Sequence, residues 1–161
     1  MRNPLSIMLA ASIVFLIAAG GYADTSGVVN VTVTIQQSIS VEITGGPIDF
    51  GSMGVGEAAV SLGSISVLNN GSGIDETITV SFTDPAGWTH GVPGENIYRL
   101  SFQFSASQPP ADDANWRDAG LVSEEIAYNA AKTLWIKLET PTATGITSQQ
   151  TIPVTITAEA E

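Results

Sequence analysis

Tyr98-Arg99-Leu100-Ser101-Phe102-Gln103-Phe104 alternates large apolar and polar residues without a break. A period of two, with the apolar weight on one side, is the pattern of a strand buried on one face. The same reading extends in both directions along the chain. Upstream, residues 77–82 place Ile78, Val80 and Phe82 on one face, and residues 60–68 predict another strand. That strand is closed by Asn69-Asn70-Gly71-Ser72-Gly73, a turn cluster. Further upstream, Val29-Asn30-Val31-Thr32-Val33-Thr34-Ile35 alternates strictly; after Gln36-Gln37 the pattern resumes as Ile39, Val41 and Ile43 until Gly45-Gly46-Pro47. Downstream, Leu134, Ile136 and Leu138 form a further face, and Ile152, Val154, Ile156 and Ala158 the last. The Ala- and Glu-rich residues 124–132 are the one helix-tolerant stretch and predict at most a turn or two of helix. About seven or eight short strands, mostly separated by Gly/Pro/Asn/Asp clusters and never alternating with helices, predict an all-β fold, an antiparallel β-sandwich with Greek-key connections.

Composition narrows what such a domain can do. The 161 residues carry 5 basic and 16 acidic side chains, a formal net charge of −11, with one histidine and no cysteine. Nucleic acid and anionic lipid both select clustered Lys/Arg, so neither is expected as a partner. The absence of cysteine removes disulfides, thiolate zinc sites and cysteine nucleophiles together. At 43% hydrophobic residues the chain is too apolar to be an acidic disordered tail.

The first 23 residues read as an address. Arg2 supplies a basic start, Leu5 to Ala19 is almost wholly apolar, and Gly21 and Ala23 are the small residues of a signal-peptidase site before Asp24. The apolar stretch is shorter than the roughly 20 residues that span a bilayer. Residues 1–23 are therefore expected to be a secretory signal peptide, and 24–161 a single secreted domain, extracellular, at the cell surface or in the periplasm, with no membrane contact after cleavage. Loss of Arg2 leaves Arg99, Arg117, Lys132 and Lys137 as the only basic side chains. Asn30 and Asn70 head Asn-x-Ser/Thr triplets, open to glycosylation where the host has the machinery.

The search for chemistry returns little. A nucleophile–base pair would have to use the lone His90, which sits in a Gly/Pro loop where a solvated side chain is expected, and no Gly-x-Ser-x-Gly elbow exists. The acidic residues lie mostly in loops and at strand ends, where solvation accounts for them better than glycoside hydrolysis. Gly51-Ser52-Met53-Gly54-Val55-Gly56 lacks the Gly-Lys-Ser/Thr ending of a phosphate loop and reads as a turn. No enzymatic activity and no resident cofactor is expected. Asp112, Asp113 and Asp118 offer hard oxygen ligands within one loop, a weak calcium candidate that matches no EF-hand spacing. Two loops, residues 83–96 and 106–120, exceed what a hairpin needs. Their Trp88 and Trp116 are the ligand candidates of an alternative reading, a module binding a carbohydrate or other small ligand with or without calcium. Tyr98 is expected in the core instead, and Trp135 on the face opposite Leu134, Ile136 and Leu138.

Ile48-Asp49-Phe50-Gly51-Ser52-Met53-Gly54-Val55-Gly56 followed by Ile65-Ser66-Val67-Leu68-Asn69-Asn70-Gly71 resembles the FG-x-x-x-x-G … V-x-N-x-G opening of small secreted immunoglobulin-like surface domains. More loosely it resembles the matrix-fibre and bundling-pilus subunits of the TasA/camelysin type. The matching residues are turn chemistry and transfer no active site. The resemblance implies an immunoglobulin-like sandwich with a structural or adhesive role, whose partners are copies of itself or other surface proteins. It also implies assembly by donor-strand complementation, in which an N-terminal strand fills a groove in the next subunit. Val29, Val31, Val33 and Ile35 would be that strand, with Gln36-Gln37 as the hinge to a resident half at Ile39–Ile43. The first strand of any sandwich alternates in the same way and pairs within its own domain, so the sequence leaves both pairings open. With so little lysine, the strands lack one common device against edge-to-edge pairing.

Overall fold

A computed structural model describes residues 32–34 and 36–161 of the chain. The expected leader, Val29, Asn30, Val31 and Ile35 lie outside the described residues. Gln36–Glu161 forms one compact unit. It holds ten strands: β1 (Val41–Thr44), β2 (Ala58–Val60), β3 (Ile65–Asn69), β4 (Glu76–Phe82), β5 (Thr89–His90), β6 (Ile97–Phe104), β7 (Arg117–Asp118), β8 (Ser123–Ile126), β9 (Ala131–Glu139) and β10 (Val154–Ala160). No helix occurs among the described residues, and the strands form two sheets, the expected all-β sandwich.

The larger sheet runs β1-β3-β9-β6-β5, with β2 beside β9 and β7 beside β6; the smaller runs β10-β4-β8. Alternation decides which side chains meet. In the β6–β9 ladder, Leu100 faces Leu138, Phe102 faces Ile136 and Phe104 faces Leu134. In the β4–β10 ladder, Ile78 faces Ala158, Val80 faces Ile156 and Phe82 faces Val154. Paired residues share a face, so each sheet presents one apolar side to the other. Val67, Ile78, Tyr98, Ile126 and Leu134 are wholly buried between them.

The structure departs from the expected strands in several places. Residues 60–68 are not one strand. β2 and β3 both pair with β9, but Leu62 to Ser64 loop out between them. Buried Ser61 makes the rung there: its N–H donates to Ile136 O (2.8 Å) and its Oγ accepts from Ile136 N (3.3 Å). The Ser64 carbonyl then lies 2.4 Å from where a Cβ on Gly45 would stand, so only glycine fits at 45. The helix-tolerant residues 124–132 form β8, a turn and the start of β9. Ile126 is drawn wholly into the core and Asn129 takes a left-handed φ of 58°, so tertiary burial overrides local propensity. Finally, β5 pairs with β6 in parallel, an exception to the antiparallel rule that is two residues long.

One side of the sandwich is laced shut. β7 hydrogen-bonds to β6, Gly120 N–H donates to Val80 O (2.9 Å) on β4, and β8 continues along β4. The chain from Arg117 to Ile126 thus passes from one sheet to the other. The sheets end at β1 and β10 on the opposite side.

Two buried polar side chains organise the strand ends. Asn69 donates to Ile74 O and Ile126 O, both at 2.9 Å, and its Oδ1 accepts from Gly71 N (3.1 Å). It ties β3, the following turn and the end of β8 together, which accounts for the Asn of the V-x-N-x-G stretch. Glu76, wholly buried, accepts from Ser40 N (2.8 Å) and fixes the entry to β1 against the start of β4. Asn69→Ala removes these three bonds, one to the buried Ile126 carbonyl, one to the part-buried Ile74 carbonyl and one from the buried Gly71 N–H. It is expected to cost at least about 2 kcal/mol in urea unfolding, and Asn69→Asp, which cannot donate, is expected to fail in the same way.

Candidate functional site

The only described member of the expected donor strand is Val33, and it is 83% exposed. The resident half begins later than alternation suggests. Ser38 and Ser40 bond to Ser72 and Asn70 through their backbones, and only Val41–Thr44 is strand. Ile39 and Ile43 share the parity of Val41, which packs against the core, yet they are 49% and 45% exposed. On β10 the core-facing Val154, Ile156 and Ala158 are likewise only half-buried. Apolar side chains on the sheet edges at β1 and β10 are therefore incompletely covered, whereas Ile78 and Val80 on β4, Tyr98, Leu100 and Phe102 on β6, and Leu134, Ile136 and Leu138 on β9 are buried.

The indoles of the alternative reading are both engaged within the fold. Trp116 is 9% exposed; its Nε1–H donates to Pro110 O (2.9 Å) and the Lys137 ammonium lies 5.7 Å over its ring. Around it the 106–120 loop folds onto the outer face of the large sheet, where Lys137 Nζ donates to Ala111 O and Gln108 donates to Ser61 O. Trp135, expected on that face, is half-buried and donates to Ser105 O (3.0 Å). Trp88 is half-buried against Tyr98 and donates to Thr144 Oγ1 (3.3 Å). Trp116→Ala is expected to cost about 3 kcal/mol in thermal or urea unfolding, an effect on stability that a ligand-contacting surface indole would not produce.

The calcium trio does not converge. Asp118 takes a bidentate bond from Arg99 (2.9 and 3.2 Å) and a bond from Ser101 Oγ. Asp113 accepts the N–H of Asn115, closing a local turn, and Asp112 is exposed. Among the described residues the one acidic group whose oxygens approach each other is Asp75, Glu125 and Glu161, all exposed, at the end of the small sheet.

His90 is not the solvated residue its loop suggests. Parallel pairing of β5 with β6 sets its ring edge-on to Phe82 (4.8 Å) and Tyr98 (5.7 Å), with Nε2 buried and unpartnered. Asp84 Oδ1 accepts both the His90 N–H (3.1 Å) and the Tyr98 hydroxyl (2.8 Å). Burial, and then the Asp84 carboxylate, push the Tyr98 phenol well above the usual tyrosine range, so it stays protonated and donating. This arrangement closes the end of the core.

The sequence matches no protein-family model and no curated protein.

The hydrogen bond from Arg99 holds the Asp118 carboxyl below the usual carboxylate range, against the opposing effect of burial. A depressed folded-state value means the pair stabilises the fold above the unfolded carboxyl's pKa of about 4 and loses that contribution as pH falls below it. With both partners partly exposed, Asp118→Asn is expected to cost no more than about 1 kcal/mol at pH 7. The difference from the native chain should vanish by about pH 2 in a pH series of thermal melts.

Proposed function

We propose that this is a secreted, immunoglobulin-like structural or adhesive protein of the cell surface whose copies assemble through the N-terminal strand Val29, Val31, Val33 and Ile35. The observation that carries the reading is the exposure of Val33, 83%, in the middle of a segment whose alternation specifies a strand buried on one face. The unit that holds the buried core is Gln36–Glu161. The described sandwich contains its buried core without it. Assembly is then strand addition. Main-chain N–H and C=O groups of one copy pair with a sheet edge of the next, and the alternate valines supply the apolar contact. The leader pattern at 1–23 supports export, and the lack of cysteine is compatible with a subunit held by packing and pairing alone. Trp88 and Trp116 give the ligand-binding alternative no added support, since both indole N–H groups are already bonded.

The test uses protein exported with its own leader, its N-terminus located by mass spectrometry, followed by size-exclusion chromatography and negative-stain microscopy over a concentration series. Native protein is expected to give filaments or a ladder of oligomers. Val31→Asp combined with Val33→Asp should abolish them while leaving the melting temperature of the monomer unchanged, because the buried core draws on no residue before Val41. Native protein that remains monomeric at every concentration overturns the reading.

A further inference from the structure

We propose that the acceptor for this strand is the edge of β10 that no other described strand occupies, and that the occupant is the 29–35 segment of a second copy, seated in the seam between β10 and β1. The inference rests on the strand-addition reading above and adds to it a specific receiving surface.

Among the described residues, the hydrogen-bonded path through the sandwich runs β1-β3-β9-β6-β7, crosses at Gly120 to β4, and ends at β10. It is a ring with one gap, between β1 and β10. The two lips of that gap meet at one end. Glu76 is the β4 residue paired with Ala160 of β10, and its buried carboxylate accepts the N–H of Ser40 at the entry to β1. Along the gap, Val41 from one lip and Val154, Ile156 and Ala158 from the other pack against the core but are only partly buried, and Ile39 and Ile43 beside Val41 are exposed. A missing strand leaves that signature: the correct face, the correct residue types and incomplete burial on both sides of one opening.

The other edges are poorer acceptors. β5 and β7 are two residues each. β8 is four residues long and carries Glu124 and Glu125, the former paired with Lys132. β10 offers seven residues, Val154-Thr155-Ile156-Thr157-Ala158-Glu159-Ala160, with no lysine or proline inside and one charge. Long, flat, uncharged edges of this kind are what soluble β proteins normally avoid.

The donor fits in length, pattern and charge. Residues 29–35 are as long as β10 and repeat its alternation of branched apolar residues with small polar ones. They put Val29, Val31, Val33 and Ile35 toward the seam while Thr32 and Thr34 extend the Thr155 and Thr157 face. From Thr25 to Val41 the chain carries no charge, so in a molecule of net charge −11 this stretch approaches another copy without acid–acid repulsion. A second copy is favoured over the same chain because a tight return would have to be made at Gln36-Gln37, which has neither the Gly nor the Asn/Asp that a two-residue reversal demands.

The absence of native cysteine makes the test direct. Full-length single-cysteine variants are exported, mixed in pairs and mildly oxidised: Thr32→Cys or Thr34→Cys as donor, with Thr155→Cys, Thr157→Cys or, as the control on β8, Glu125→Cys. All the β10 positions chosen are exposed, so folding is not at stake. A β10 partner is expected to give about tenfold more mixed disulfide than the β8 control, and β10 amides should gain hydrogen-exchange protection on assembly. If assembly still depends on Val31 and Val33 but the cross-links avoid β10 and its amides stay unprotected, the acceptor is wrong and strand addition stands. If the native chain never assembles, both fall.

Discussion

The packing of the inward faces of β6 and β9 against β4 is the contact on which the rest of the molecule depends. Phe82 reaches across to Tyr98 and Phe102 with ring centroids 6.2 and 6.3 Å apart, while Ile78, Val80, Leu134 and Ile136 fill the space beside them. In a chain without disulfides this apolar contact is the main source of cohesion. It also dictates where polar groups go. Once Tyr98 is buried, its hydroxyl must be bonded, and Asp84 supplies the acceptor.

Polar groups drawn into the sandwich act as fasteners at its ends. Asn69 satisfies two carbonyls from separate segments and one N–H of its own turn. Glu76 is a costlier device, since one carboxylate oxygen holds Ser40 and the other is buried without a partner among the described residues. Its position at the meeting of β1, β4 and β10 gives that cost a structural return, because it sets how closely the two open edges approach. The large sheet gains a second cover where the 106–120 loop folds over Lys137, with Trp116 beneath it. A loop long enough to suggest binding is thereby used for packing.

The molecule is thus closed on one side and open on the other. Arg117 to Ile126 laces β6 to β4, and nothing comparable joins β1 to β10 among the described residues. Half-covered apolar residues on both lips, facing inward yet reachable, separate this opening from the scattered exposed Leu62, Val92 and Leu121, which lie in loops or turns. An uncharged alternating segment just ahead of the compact unit has the composition to fill such an opening in another copy. Function on this view is a property of strand edges.

What the sequence determined by itself was the long strands and their faces. Alternation at 77–82, 98–104, 134–138 and 152–158 is a local property, legible because side chains on a strand point to opposite sides in turn. Asn69-Asn70-Gly71 was legible as a turn for the same local reason. What tertiary structure alone decided was which groups meet. That Ser61 interrupts a strand, that His90 lies against Phe82 and Tyr98, and that Trp116 is buried all follow from long-range pairing. So does the spending of Asp118 on Arg99 instead of on a cation with Asp112 and Asp113. The open β10 edge belongs to this second kind. Its residues read as an ordinary final strand, and an edge exists only once every other strand has taken its neighbours, a fact about the whole sheet order that no stretch of seven residues contains.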